Sequence, residues 1–386
     1  MPVRFHLIAL IKDYPPATGG IQTFVKELYE GLPEQEFMIT LLIDKANKDK
    51  IVNLSRKNIN AVPVTLLKPF TRRYGWRFVK YRIQGGRLKR IIRSVLIPGA
   101  VNILHTHWNP EGLYGGMLAK ETGITSVWTC NNLLAVSKVE EMCRKHKFWK
   151  KFTANETMGY TQIVAVSRSI ADRFMQHLNV KKENISVIYN SIHTGNVVFR
   201  NGDGKNGEII NLLYAGRIIP HKKVIDIIDA FKILNEKDPR FKLVIAGEGG
   251  ERSALMDYAR QQNLEDKITF PGHVNDTRAL YKDADFYISA STAEGLPHSP
   301  LEAMLAGVYP VLSDIGPHEE ILNGCEFGRL FRTGSAADLA ETILSVNLSD
   351  LEKFRPAISE HIRNKFSREK MVATYCELFA RLERHI

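Results

Sequence analysis

An alternation constrains this chain more than any other feature. Short β-rich runs trade places with helix-patterned stretches, the pattern breaks once, and then it starts again. In the first half, residues 4–10, 37–43, 61–66, 101–105, 125–130, 162–166 and 185–189 read as strands, with helical patterns over 20–30, 111–121 and 169–177. Apolar runs this short, joined by crossover helices, predict a parallel sheet covered on both faces. The polar, Gly/Asn-rich stretch GNVVFRNGDGKNG at 195–207 reads as a linker. Beyond it the alternation resumes, with strands over 209–215, 241–246, 268–270, 285–290 and 308–312 and helices over 221–235, 251–262 and 299–306. In the first of these helices Val224, Ile227, Ile228, Phe231 and Leu234 share one face, which marks it as core.

The sequence has 386 residues, too many for one comfortable core, and the two alternating halves divide it. The expected fold class is α/β with two doubly wound domains, residues 1–195 and 208–367. A closing helical segment, 368–386, is expected to pack back on the first domain. With 44% hydrophobic and 25% charged residues the chain reads as a folded enzyme rather than a disordered one. The apolar run 7–11 is too short for a signal-peptide core, and no stretch reaches the roughly 18 apolar residues that span a bilayer. Cys130, Cys143, Cys325 and Cys376 are scattered without metal-ligand spacing. That scatter fits a reducing compartment, and the expectation is a cytoplasmic protein.

The formal charge of +11 is concentrated. Lys68, Arg72, Arg73, Arg77, Lys80, Arg82, Arg87, Lys89, Arg90 and Arg93 occur in 68–93 with no acid among them, interleaved with Phe70, Tyr74, Trp76, Phe78 and Tyr81. A solvated helix face is the plain reading. Of the functional readings, an anionic membrane surface ranks ahead of a diphosphate-bearing acceptor, and nucleic acid is not expected.

In open α/β sheets ligands bind beyond the carboxyl ends of the strands, so the loops there carry the functional argument. One loop, 214–223, holds Arg217 and Lys222 five residues apart, just ahead of a helix. Two such cations and the positive end of that helix can close on a diphosphate. A second loop, 294–302, holds Glu294 and Glu302. Ser299-Pro300-Leu301-Glu302 is also a capping-box sequence, which offers Glu302 a purely structural task. Glu294, outside any helix pattern, is free to meet sugar hydroxyls, and Glu302 could hold a ribose diol as carboxylates do in dinucleotide folds. In the amino-terminal half, Gly19 and Gly20 follow the first strand and allow close backbone approach. His105 and His107 fall on one side of the strand over 101–105, His105 as a buried residue and His107 at the rim. Asp283-Ala284-Asp285 has the D-x-D spacing of metal-dependent sugar transferases but reads as a helix end entering a buried strand.

Taken together, the blocks AGRIIPHKKV, KLVIAGEG, ITFPGHV, YKDADFYISAS and EGLPHSPLEAMLAGVYPVLSDIG, in that order, resemble the retaining glycosyltransferases of family 4, which have two facing Rossmann-like domains, the GT-B fold. Gly19-Gly20, ILHTHW and IVAVSRSIADRF before VIYNSI extend the resemblance to nearly the whole chain. The resemblance implies that Arg217 and Lys222 bind the diphosphate, Glu302 the ribose and Glu294 the donor sugar. It further implies donor contacts from Gly19, Gly20, Val274, His298, Ser299 and Leu301, and places His107 near the reacting centre. Metal and other cofactors are not expected. Lys223 departs from the glycine that usually follows the diphosphate lysine, and Ser191 and His193 depart from the usual NG-x-D turn.

The implied activity is metal-independent transfer, with retention, of a sugar from a UDP- or GDP-sugar to a lipid-linked or saccharide acceptor in surface-polysaccharide synthesis. The alternatives are a sugar-nucleotide epimerase on the same fold, or a non-catalytic protein that binds membrane or nucleic acid through 68–93.

Overall fold

The computed structural model describes residues 2–11, 20–44, 56–65, 75–107, 111–131, 159–178, 180–195 and 209–384. The chain divides into two compact units, Met1–Ser191 with Arg368–Ile386, and Ile192–Ser367. Most of the linker-like stretch 195–207 lies outside the described residues, as do Gly19 and the basic residues Lys68, Arg72 and Arg73.

The first unit is built on strands β1 (Phe5–Ile11), β2 (Phe37–Asp44), β3 (Ile59–Val64), β4 (Val101–Thr106), β5 (Thr125–Cys130), β6 (Gln162–Ala165) and β7 (Ile185–Val187). They form one parallel sheet in the order β3-β2-β1-β4-β5-β6-β7. Every residue of β1 is buried, as a central strand covered on both faces requires. Its one polar member, His6, is satisfied by Asn102 and Thr40 on the flanking strands, at 2.8 Å each.

Helices α1 (Gly20–Tyr29), α2 (Gly75–Val95), α3 (Glu111–Thr122) and α4 (Arg168–Leu178) belong to this unit. Phe24, Val25, Leu28 and Tyr29 of α1 enter one apolar cluster with the sheet, and Leu88 and Ile92 of α2 enter a second with Leu10, Leu104 and Leu118. On the other side of α2, Arg87, Arg90 and Arg93 are exposed.

The second unit repeats the plan with β8 (Ile210–Ala215), β9 (Phe241–Ala246), β10 (Ile268–Gly272), β11 (Phe286–Ser289), β12 (Tyr309–Ser313) and β13 (Arg329–Phe331). All pair in parallel, in the order β10-β9-β8-β11-β12-β13. Its helices are α5 (Val224–Lys237), α6 (Arg252–Gln261), α7 (Arg278–Asp283), α8 (His298–Leu305), α9 (Gly316–Leu322), α10 (Ala336–Leu344) and α11 (Leu351–Phe366). Val224, Ile227, Ile228, Phe231 and Leu234 of α5 are all buried, on the face the 3.6-residue period marks out.

The last helix, α12 (Arg368–Glu383), belongs to the first unit. Met371, Val372, Tyr375, Leu378, Phe379 and Leu382 recur at helical spacing and complete the α1 side of that core. Arg368 anchors its start by donating to the Glu27 carbonyl at 2.9 Å.

In each sheet the strand order reverses at one place, between β1 and β4 and between β8 and β11. Connections on the two sides of such a point run to opposite faces, and the strand-end loops there splay apart to leave a crevice.

Candidate active site

The reversal in the second sheet brings two distant loops together. β8 pairs with β11 through Phe286–Leu212 and Tyr287–Leu213, so the loops that follow them leave the sheet side by side. Thr292 of the second loop donates its amide to the His221 carbonyl of the first, at 2.8 Å. On that frame the Lys222 ammonium donates to the Glu294 carboxylate. The two side chains retain only 15% and 10% of their exposure, which makes this a largely desolvated pair. Burial pushes the Glu294 carboxyl up, but the charge and hydrogen bond of Lys222 and a hydrogen bond from Ser291 outweigh it and hold the group below the ordinary carboxyl range.

Arg217 lies in the same loop with its side chain exposed, and its carbonyl accepts from the Tyr214 hydroxyl at 2.7 Å. Glu302 sits in α8, where its carboxylate accepts from Tyr281 of α7 at 2.8 Å. Burial raises the Glu302 carboxyl, opposed by hydrogen bonds from Tyr281 and Thr277. Two buried phenols respond to the charges of Arg217, Glu294 and Glu302. Burial, then the charge of Glu294, pushes Tyr214 up against the opposing charge of Arg217. Burial likewise pushes Tyr287 up, and Glu294 and Glu302 both add to it.

Four sequence expectations need correction. The helix after β8 begins at Val224, not 221; residues 220–222 form a single 3-10 turn. Lys223 closes that turn at φ 51°, in the left-handed region. A lysine thus stands in a backbone conformation that glycine reaches without a steric penalty. Such a conformation costs an L-residue about 1 kcal/mol, so Lys223→Gly should raise stability by roughly 0.5–1 kcal/mol in urea melts. Loss of stability would show that the lysine side chain contributes more than the strain removes.

The capping box does not form. The residue before α8 is Pro297 and makes no side-chain cap bond, while Glu302 turns to Tyr281 instead of back to the helix start. His107 is not at a rim: it is 2% exposed, its Nε2 is 2.6 Å from the Tyr29 hydroxyl, and its Nδ1 has no hydrogen-bond partner among the described residues. Burial takes its pKa down to about 3, so the ring is neutral. Leu301 is fully buried in the core, which leaves only its backbone for a ligand.

Asp283 ends α7, and Asp285 enters β11, where its carboxylate accepts from the Asn211 amide at 2.8 Å. Its other oxygen lies 3.6 Å from Arg355. Among the described residues no group of three or more His, Cys, Asp or Glu side chains could hold a metal ion. Val274 follows β10 half-buried, and the His298 ring at the start of α8 has both nitrogens buried without partners among the described residues.

Behind the Lys222–Glu294 pair lies a polar layer that the sequence reading missed. His318 is fully buried; its Nδ1 donates to the Ser313 carbonyl at 2.9 Å, and its Nε2 lies 3.4 Å from the Ser289 hydroxyl. Burial takes its pKa down to about 4 against the pull of Glu294, which fixes it as a neutral ring. Tyr214, Tyr287 and Tyr281 belong to the same support. Their one sequence signal is an aromatic hydroxyl placed at the end of a buried element, where it needs a partner.

A family model described as Glycosyltransferase Family 4 matches residues 18–196, and one described as Glycosyl transferases group 1 matches 198–365. An uncharacterised glycosyltransferase of Methanocaldococcus jannaschii is 33% identical over 335 residues, 80% of each chain. The chain is a family 4 glycosyltransferase. A GDP-mannose:cellobiosyl-diphosphopolyprenol alpha-mannosyltransferase of Xanthomonas oryzae is 24% identical to it over 61% of this chain and 62% of its own length. Among solved structures, Anabaena HepE in complex with UDP and glucose superposes on the glycosyltransferase with a TM-score of 0.74, at 17% identity, covering 98% of this chain and all of that one. That likeness carries the fold: two Rossmann-like domains of the GT-B type. The enzyme is thus a sugar transferase rather than a binding protein or an epimerase on the same frame.

Proposed function

We propose that this glycosyltransferase moves a hexosyl group from a UDP- or GDP-sugar to a lipid-linked or saccharide acceptor, with retention of configuration and without a metal ion. The observation that carries the reading is the desolvated Lys222–Glu294 pair at the reversal point of the second sheet, with Arg217 in the same loop and Glu302 acting with Glu294 on the buried Tyr287 phenol. Lys222 and Arg217 bind the diphosphate and stabilise the charge that grows on it as the C1–oxygen bond breaks. Glu294 orients the sugar hydroxyls and Glu302 the ribose. Val274, His298, Ser299 and Leu301 contribute backbone contacts to base, sugar or phosphate. The acceptor oxygen bonds to C1 on the face the phosphate leaves, and its proton passes to a phosphate oxygen. Gly19, Gly20 and His107 are the sugar-binding candidates of the first unit, where His107 donates a hydrogen bond to a sugar oxygen. The exposed arginines of α2 support a peripheral place on an anionic membrane, where a lipid-linked acceptor resides. No described helix is long and apolar enough to cross one.

The test is a melting-shift screen against UDP-, GDP- and ADP-sugars, followed by turnover with the donor that binds. A cognate donor at 100 times its Kd stabilises by about 2.7 kcal/mol. Arg217→Ala should abolish most of that shift and cost about 10²-fold in turnover. A panel with no shift, or an Arg217→Ala variant at parental rate, overturns the assignment.

A further inference from the structure

The first unit contains a continuous chain of buried hydrogen-bonding groups that runs from the carboxyl-terminal helix to the end of β4. The Tyr375 hydroxyl lies 2.8 Å from Thr129 Oγ1, which lies 2.9 Å from His105 Nε2. His105 Nδ1 is 3.1 Å from the Tyr29 hydroxyl, and that hydroxyl is 2.6 Å from His107 Nε2. All five residues are between 0 and 2% exposed, and the chain ends at His107 Nδ1, buried and without a partner among the described residues.

Proton counting gives this chain a direction. Each hydroxyl has one proton, and each neutral imidazole has one. Both rings are neutral: burial lowers the His105 pKa well below its ordinary value, with His107 adding to the effect, and burial alone does the same to His107. Among the described residues the Tyr375 phenol has one hydrogen-bond partner, Thr129, so its buried O–H must donate there or go unsatisfied. Thr129 then donates to His105 Nε2, His105 carries its proton on Nδ1 and gives it to the Tyr29 oxygen, and Tyr29 donates to His107 Nε2. Run the opposite way, the chain leaves both the Tyr375 O–H and a bare His107 Nδ1 lone pair unmatched. Over these bonds between described residues, the forward direction leaves one group over, the reverse two.

We infer that Tyr375, Thr129, His105 and Tyr29 form a one-way relay that fixes the proton of His107 on Nδ1, as a hydrogen-bond donor held for an oxygen that no described residue supplies. Resting on the reading of this enzyme as a transferase of nucleotide-linked sugars, that oxygen is a hydroxyl or ring oxygen of the saccharide substrate. Tyr375, fixed by a helix whose apolar face is built into the core, is then a positioning residue that acts on the substrate only through His107.

The experiment is a long-range proton–nitrogen correlation spectrum of the full-length protein labelled with nitrogen-15 histidine, at about pH 7. The His107 signals are identified by their loss in His107→Gln. The expected parent spectrum has a protonated Nδ1 and an unprotonated Nε2 for His107. Tyr375→Phe removes the donor that sets the direction, and it should shift His107 toward the Nε2–H form; Tyr29→Phe, a second variant at another link, should do the same. With the cognate donor, both variants should lose roughly tenfold in kcat with KM for the donor nearly unchanged. A parent His107 protonated on Nε2, or a tautomer unmoved by both substitutions, overturns the relay. The expected spectra in a protein that turns over no nucleotide sugar leave the relay standing and overturn the proposed reaction instead.

Discussion

Replacing Lys222 with methionine should lower kcat by about 10²–10³-fold, the scale of removing one preorganised group that stabilises leaving-group charge. It should also destabilise the fold, because Glu294 would stay buried with its counter-charge gone. Breaking such a pair costs several kcal/mol when burial is complete; the remaining exposure of 15% and 10% reduces the expectation to about 1–3 kcal/mol.

The pH dependence follows from the direction of the Glu294 shift. Its folded-state pKa lies below the ordinary value, so the stabilisation is present above the unfolded carboxyl range and is lost as pH falls through the folded value. The stability gap between parent and Lys222→Met should therefore be widest near neutrality and close in acid. Urea melts at about pH 7 and about pH 3 measure it. Adding Glu294→Gln to Lys222→Met removes the stranded carboxylate and should recover most of the stability while turnover stays low. A double variant that regains turnover would reduce the pair to a structural fixture.

How much of this was legible beforehand depended on where the information lay. Central strands such as β1, β2 and β9 are continuous apolar runs because they are covered on both faces, and the sequence marks them almost to the residue. Edge strands carry less pattern. β3 forms two residues earlier than its apolar run suggests, with Pro63 inside it, and β13, with Arg329 and Leu330 exposed, gave no signal.

Lys222 and Glu294 could each be picked out as loop residues beyond strand ends. Their pairing across 72 positions could not, because it depends on β8 and β11 being neighbours. The capping box failed for a related reason: a local motif competed with a tertiary partner, and the Tyr281 hydroxyl took the Glu302 carboxylate. Tyr214, Tyr287 and His318 were illegible as a group. Each reads as an ordinary residue of a buried element until the fold shows where its polar tip points.

Gly249→Ala should be a strongly damaging single-methyl change in the second unit, at a glycine that is not held at positive φ. The loops after β8, β9 and β10 are laced backbone to backbone: the Gly216 amide donates to the Ala246 carbonyl, Ile218 to Glu248 and Gly247 to Gly272, at 2.8–2.9 Å. A Cβ on Gly249 would lie 2.0 Å from the Ile218 carbonyl oxygen and 2.5 Å from its carbon, atoms of main chain that cannot rotate away. To make room the two loops must part by on the order of 1 Å, and Arg217 and Lys222 ride on the strand-end segment that is displaced. A misplacement of that size costs about 10²-fold in turnover, and the broken lacing costs about 3 kcal/mol or more. Gly250→Ala is the matched control, since nothing lies within 4 Å of its Cβ position and its backbone is not left-handed; it should stay within about 0.5 kcal/mol of the parent. Chemical melts and donor turnover on the two variants separate a steric requirement at one position from general sensitivity of a glycine-rich loop. Equal behaviour of the pair would mean that the loops can part without moving the cations.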